Sequence, residues 1–333
     1  MKFNNILITG GAGYVGSMLS ENLIEQGYKV KIYDTFYFGS DHLPKNDNLS
    51  LVKADIRDPQ KFKEECNGID VVIHLACISN DPSFELDENL SKSINYDCFE
   101  PMVLAAKSSG VQRFIYASSS SVYGVSDQED VTEDHPLVPL TLYNKFKGLC
   151  EPLLLKHVDK NFNGVVIRPA TICGFSKRCR LDLSVNILTN LAIRNKKITV
   201  FGGEQRRPNL NIKDMCRLYE LLLTVEDDLI EKEIFNVGYQ NNTIMNLANI
   251  VKSRVQLNMK IQNIEIEVTE SNDKRSYHIN SDKILNKIGF KPIYTIDDAV
   301  DSICEAYNQG RLNDSLENTI YSNVKTMQKL NVK

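Results

Sequence analysis

Apolar residues follow two rhythms along this chain. Short unbroken runs such as Ile6-Leu7-Ile8 and Val71-Val72-Ile73 alternate with stretches in which apolar positions recur every three or four residues. Unbroken runs of that length predict strands buried on both faces, and the 3.6-residue rhythm predicts helices packed against them. Strands are predicted at 6–8, Lys29–Tyr33, Leu51–Ala54, Val71–Ala76 and Gln112–Ala117, with a helix from Asn89 to Ser109 ending at Gly110. Such alternation is the signature of an α/β fold, a doubly wound parallel sheet with helices on both faces. Further on, Thr243–Val255, Ser281–Ile288 and Thr295–Gln309 have helical spacing and Ile264–Val268 alternates as a strand, so the second half of the chain is α/β as well. The expected division is 1–168 and 169–333, with some of the second half returning to the first sheet. The stretch 311–333 is polar with scattered apolar residues and reads as a surface extension.

The first strand stops abruptly at Thr9-Gly10-Gly11-Ala12-Gly13-Tyr14-Val15-Gly16, after which a helical pattern begins. A buried strand feeding a turn without side chains, followed by a helix whose first N–H groups are unpaired, is a cradle for phosphate. The next predicted strand ends at Asp34, eighteen residues past Gly16, where a carboxylate suits a ribose diol. These features together give a Rossmann-type dinucleotide site. A carboxylate would repel a 2′-phosphate and no Arg follows it directly, so NAD is favoured over NADP.

Composition narrows the class. The chain has 333 residues, 42% of them hydrophobic, and a net charge of -4 without a polybasic block, so neither nucleic acid nor an anionic membrane is an expected partner. Met1 leads directly into the first strand without a signal-like segment, the expectation for a cytoplasmic protein. Eight cysteines are scattered without a Cys-x-x-Cys pair, so reduced thiols and no metal site are expected. Cys77 and Cys173 lie close to the expected site but read as small buried hydrophobes.

The fifth strand runs into Ser118-Ser119-Ser120-Ser121-Val122-Tyr123-Gly124, and twenty-four residues past Ser119 comes Tyr143-Asn144-Lys145-Phe146-Lys147. The i, i+4 spacing stacks Tyr143 and Lys147 on one helix face. An ammonium beside a phenol favours phenolate, which makes Tyr143 a usable base. Pro152 is expected to kink this helix beyond the pair, with Gly148 the least crowded partner for its ring. His74, inside an apolar strand, reads as a core histidine rather than a base. The loop Ile78-Ser79-Asn80-Asp81-Pro82-Ser83 either touches a ligand at the crevice mouth or supplies local turn chemistry.

With these residues in hand the sequence resembles the extended short-chain dehydrogenase/reductases that act on nucleotide sugars as epimerases, dehydratases and dehydrogenases. The resemblance implies that Gly10, Gly13 and Gly16, with Tyr14 and Val15 between them, hold the NAD pyrophosphate. Asp34 would take the adenosine ribose, Asp55 and Ile56 the adenine, and Leu75, Ala76, Cys77 and Asn95 the nicotinamide side. Ser119, Tyr143 and Lys147 would be the catalytic triad, the last two also touching the cofactor. Ser79, Asp81, Ser120, Ser121, Thr171, Arg207 and Arg275 would face a nucleotide-diphosphate sugar, the two arginines as diphosphate ligands. By analogy with the family a smaller C-terminal α/β substrate domain and a homodimer are expected.

Departures from the family pattern bear on the reaction. Where 4,6-dehydratases carry carboxylates after the catalytic hydroxyl, and the fucose-synthase type a cysteine, this chain has Ser120 and Ser121. Serine is too weak an acid or base for either task. What remains is oxidation of a sugar hydroxyl, most simply at C4, with hydride passing to NAD. The run from Cys77 to Tyr123 resembles the GDP-heptose 4-dehydrogenase type of surface (capsule) polysaccharide enzymes. A 4-epimerase with tightly bound NAD is the alternative, and a non-catalytic NAD-binding sensor or scaffold protein a third, which retention of both Tyr143 and Lys147 disfavours.

Overall fold

The computed structural model describes residues 2–79, 81–126, 128, 130–270, 276 and 278–331. In chain order its strands are β1 (Asn5–Thr9), β2 (Lys29–Asp34), β3 (Leu49–Lys53), β4 (Val71–His74), β5 (Arg113–Ala117), β6 (Asn163–Pro169), β7 (Thr171–Cys173), β8 (Lys197–Phe201), β9 (Arg206–Asn211), β10 (Ile234–Val237), β11 (Gln240–Thr243) and β12 (Glu265–Thr269). Seven of them form one parallel sheet in the order β10-β6-β5-β4-β1-β2-β3. The chain adds β2 and β3 on one side of β1 and then β4 on the other, so the order reverses between β1 and β4 and a crevice opens beyond their C-terminal ends.

Burial on both faces accounts for the unbroken apolar runs. Ile6 and Ile8 of β1 pack with Leu19 and Leu23 of the Tyr14–Glu25 helix, whereas Leu7, pointing the other way, packs with Phe99 and Met102 of the Phe99–Ser108 helix. Period-two alternation thus divides Ile6, Leu7 and Ile8 between two cores. A third core joins Val185, Leu188, Ile198, Leu247, Val251 and Val300 in the second half of the chain. It lies among the Ser184–Asn195, Ile244–Met259 and Ile296–Asn308 helices, with β12 paired to β8 beside them.

Two expectations are modified. The predicted helix from Asn89 to Ser109 is interrupted: helix spans Glu88–Lys92, a wider π-helical turn Ser93–Asp97, and helix again Phe99–Ser108. Within the wide turn the Asn95 carboxamide accepts from Ile78 N and donates to Ile78 O, both at 2.8 Å. A turn of this kind realigns one side chain. The helix carrying Tyr143 spans Leu142–Leu155 and, as expected, has Pro152 inside it. The segment 311–333 is no mere surface extension: Asn323–Leu330 is helical, capped by Ser322, and Asn323 and Met327 are buried. Among the described residues no helix is long and apolar enough to cross a membrane.

Candidate active site

The turn after β1 is dictated by contact distances. Gly10 has φ +69°, and a Cβ there would lie 2.7 Å from the Ala76 backbone; one on Gly16 would lie 2.6 Å from Gly11 Cα. Neither position tolerates a side chain, which brings the N-terminus of the Tyr14–Glu25 helix close to the end of β4. Asp34, at the end of β2, accepts from Ala12 N at 3.0 Å and Phe36 N at 2.8 Å, fixing the turn against its own loop. Burial raises its carboxyl above the ordinary range, with those two backbone donors opposing.

From this turn a cavity of about 690 Å³ extends across the crevice. Its wall includes Gly10, Gly13, Tyr14, Val15, Gly16, Asp34, Asp55, Ile56, Leu75, Ala76 and Cys77 on the side predicted for the cofactor. Ser79, Asp81, Ser119, Ser120, Ser121, Tyr143, Lys147, Thr171 and Arg207 line it elsewhere. One expected residue is placed differently. Asn95 stands behind the wall, because both ends of its amide are taken up by Ile78, which does line the cavity. Arg275 lies outside the described residues.

The end of β5 and the Leu142–Leu155 helix are locked together here. Buried Lys147 donates from Nζ to Ala117 O at 2.8 Å. The hydroxyls of Ser119 and Ser121 are 2.7 Å apart, and Ser121 also donates to Asn144 Oδ1. Thr141 caps the helix through Asn144 N and donates to Asp81 Oδ1 at 2.5 Å. Behind the serines, Glu151 accepts from Ser118 Oγ and from two nitrogens of Arg168, a buried ion pair bracing the strand ends. His74 sits among Phe99, Phe114 and Tyr116 with Nδ1 2.7 Å from Thr9 Oγ1. Burial, and secondarily the charge of Lys147, lowers its pKa to about 3, so it is a neutral core residue. Cys173 is likewise buried, its thiol pushed up to about 12 by burial.

Sequence reasoning missed one group on the wall: Arg178, Arg180, Asp182 and Asn323. Arg180 Nε lies 2.9 Å from Asp182 Oδ1 and its Nη1 donates to Ser79 Oγ at 3.1 Å. Asn323 donates from Nδ2 to the same Ser79 hydroxyl at 2.7 Å and from its backbone N to Asp182 at 2.8 Å. The loop after β4, the segment after β7 and the chain's last helix are therefore tied over the crevice. A signal was present: at 178, 180 and 182 the charged residues alternate with Cys179 and Leu181, which pack into a small core with Ile303 and Leu312.

A parallel sheet whose switch point opens on a glycine turn, with a serine and a Tyr-x-x-x-Lys pair on the facing wall, defines a short-chain, dinucleotide-dependent oxidoreductase fold. The chain belongs to the NAD dependent epimerase/dehydratase family, whose model matches residues 6–238. It is 26% identical over 318 residues to UDP-glucuronic acid decarboxylase 1 of Danio rerio, covering 91% of this chain and 72% of that protein. Among solved structures it resembles UDP-glucose 4-epimerase of Thermotoga maritima at 23% identity and TM-score 0.82, covering 92% and 99% of the two chains. The dTDP-glucose 4,6-dehydratase of Streptomyces venezuelae, solved with NAD bound, matches at 20% identity and TM-score 0.82, covering 95% and 99%. The glycine turn, Asp34 and the cavity wall fit the NAD of that family.

Proposed function

We propose that the enzyme oxidises the C4 hydroxyl of a nucleotide-activated sugar, with Tyr143 as the base. The observation that carries this reading is that Ser119, Tyr143 and Lys147 share one cavity with the glycine turn. Tyr143 Oη takes the hydroxyl proton, and the Lys147 ammonium, held by Ala117 O, favours the phenolate that does so. Ser119 Oγ holds the sugar oxygen as its bond order to carbon rises. Bound NAD supplies the two-electron acceptor for the carbon. Gly10, Gly13, Gly16 and Asp34 would hold the cofactor, while Thr171 and Arg207 are assigned to the sugar nucleotide.

The positions after Ser119 offer only hydroxyls, and that of Ser121 is already engaged with Ser119 and Asn144. No group there is suited to removing a proton from C5 or C3. This supports chemistry that ends at, or passes through, a 4-ketosugar. The first reading is a 4-dehydrogenase of the GDP-heptose type, which releases the ketosugar. The second is a 4-epimerase, favoured by the closure of the crevice through Ser79, Arg180 and Asn323, which suits a cofactor that stays bound.

The test incubates purified enzyme with NAD and a panel including GDP-heptose, UDP-glucose and UDP-glucuronate, with products read by NMR and mass spectrometry. A 4-ketosugar formed with stoichiometric NADH supports the dehydrogenase; a C4 epimer without net NADH supports the epimerase. Loss of carbon dioxide from UDP-glucuronate would instead assign a decarboxylase, as in the Danio rerio relative. A Tyr143→Phe variant is expected to lose at least a hundredfold in kcat, and near-native turnover by it would overturn the assignment.

A further inference from the structure

Arg178 is a buried cation on the cavity wall that the proposed chemistry leaves without a task. It is 3% exposed, and its guanidinium carbon lies 3.7 Å from the centroid of the Phe38 ring. Nη2 donates to Asn323 Oδ1 at 2.5 Å, while Nε is buried with no hydrogen-bond partner. Among the described residues it forms no ion pair, because Asp182 is held by Arg180. A buried guanidinium with an open donor and no anion is costly to fold, unless a ligand brings the anion.

Its neighbours say which ligand. Phe38 follows Asp34 in the loop after β2, and the Asp34 carboxylate and Arg178 feel each other's charge. The segment leading to Arg178 is fastened to the first turn of the helix after the glycines: Tyr14 Oη donates to Gly174 O at 2.5 Å, and the Ser17 and Ser176 hydroxyls are 2.8 Å apart. Arg178 therefore lines the cavity with the glycine turn, Asp34 and Phe38.

We propose that Arg178 is the guanidinium ligand of the NAD pyrophosphate, closing over it from the side opposite the glycine turn, and that the Asn323–Leu330 helix keys it in place through Asn323. A diphosphate presents oxygens to the backbone N–H groups of the turn on one side and matches a planar, doubly donating cation on the other. Burial, with Arg180 adding repulsion, lowers the Arg178 pKa to about 9, the state of a cation waiting for an anion. The Phe38 ring, 3.7 Å from the guanidinium carbon, restricts the guanidinium from one side.

The proposal concerns the cofactor alone, so a failed turnover assay leaves it readable. Full-length enzyme stripped of nucleotide is titrated calorimetrically with NAD, ADP-ribose, adenosine, NADP and UDP, wild type against Arg178→Met, with far-UV circular dichroism as the check of folding. The variant is expected to bind NAD and ADP-ribose at least about tenfold more weakly, with adenosine and UDP unchanged. NAD and ADP-ribose affinities within twofold of wild type would overturn the proposal. So would a loss confined to UDP, which would give the arginine to the substrate's diphosphate. A wild type that prefers NADP, with the loss confined to NADP, would give it to a 2′-phosphate and overturn the proposal equally. Asn323→Ala, which leaves Arg178 intact, is expected to release NADH several-fold faster in a fluorescence displacement assay. An unchanged rate would overturn the keying role, and this variant decides the case if Arg178→Met does not fold.

Discussion

Lys147 donates its hydrogen bond to the carbonyl of Ala117, two residues before Ser119. One ammonium thereby ties the helix that carries the phenol to the strand end that carries the hydroxyl, and 5.2 Å from the Tyr116 ring it is excluded from water. Lys147→Met removes the charge while keeping the stem. We expect kcat to fall about a hundredfold at neutral pH and to recover partly as pH rises toward about 10, where a phenol ionises unaided. A pH–rate profile checks this, and a parallel loss at every pH would show that the lysine acts only by holding the fold.

Thr141 joins two turns of the chain before the base. Its hydroxyl accepts from Asn144 N at 3.3 Å and donates to buried Asp81. Thr141→Val removes the cap and leaves Asp81 short of a donor, at an expected cost of about 1–2 kcal/mol in urea unfolding. Thr141→Ser is expected to retain most of it.

The buried neutral His74 fixes a pH dependence. Its folded pKa of about 3 lies below that of an unfolded histidine, about 6.5. Unfolded chains therefore take up the proton first, so the stability is full at neutral pH and is lost as pH falls below about 6.5, at up to about 1.4 kcal/mol per pH unit. His74→Asn, which keeps an acceptor for Thr9, is expected to flatten that decline in denaturation midpoints measured between pH 7.5 and 5. An identical slope in both proteins would remove His74 as its cause.

The parallel sheet was legible because each strand carries its own record of burial on two faces, and the site because Gly10, Asp34, Ser119, Tyr143 and Lys147 sit at spacings set by local geometry. β10 and β8 went unread: four or five residues such as Ile234–Val237 and Lys197–Phe201 say little without their partners β6 and β12. The wide turn at Ser93–Asp97 hid inside an ordinary helical rhythm, since one extra residue per turn barely disturbs apolar spacing. Least legible was the strap over the crevice. Asn323 meets Ser79 across 244 positions of chain, and a polar residue in a polar stretch gives no sign of a distant partner. Arg178, Arg180 and Asp182 did alternate with Cys179 and Leu181, but only the fold reveals that the charged face turns inward.

The strand contributed by 234–237 has a practical consequence. It covers the flank of β6, so a fragment stopping at 168 would present a bare row of backbone donors and acceptors along a hydrophobic ribbon. Such a fragment is an invitation to edge-to-edge association between copies, and expression of the cofactor half by itself should yield aggregates where the whole chain yields dispersed protein.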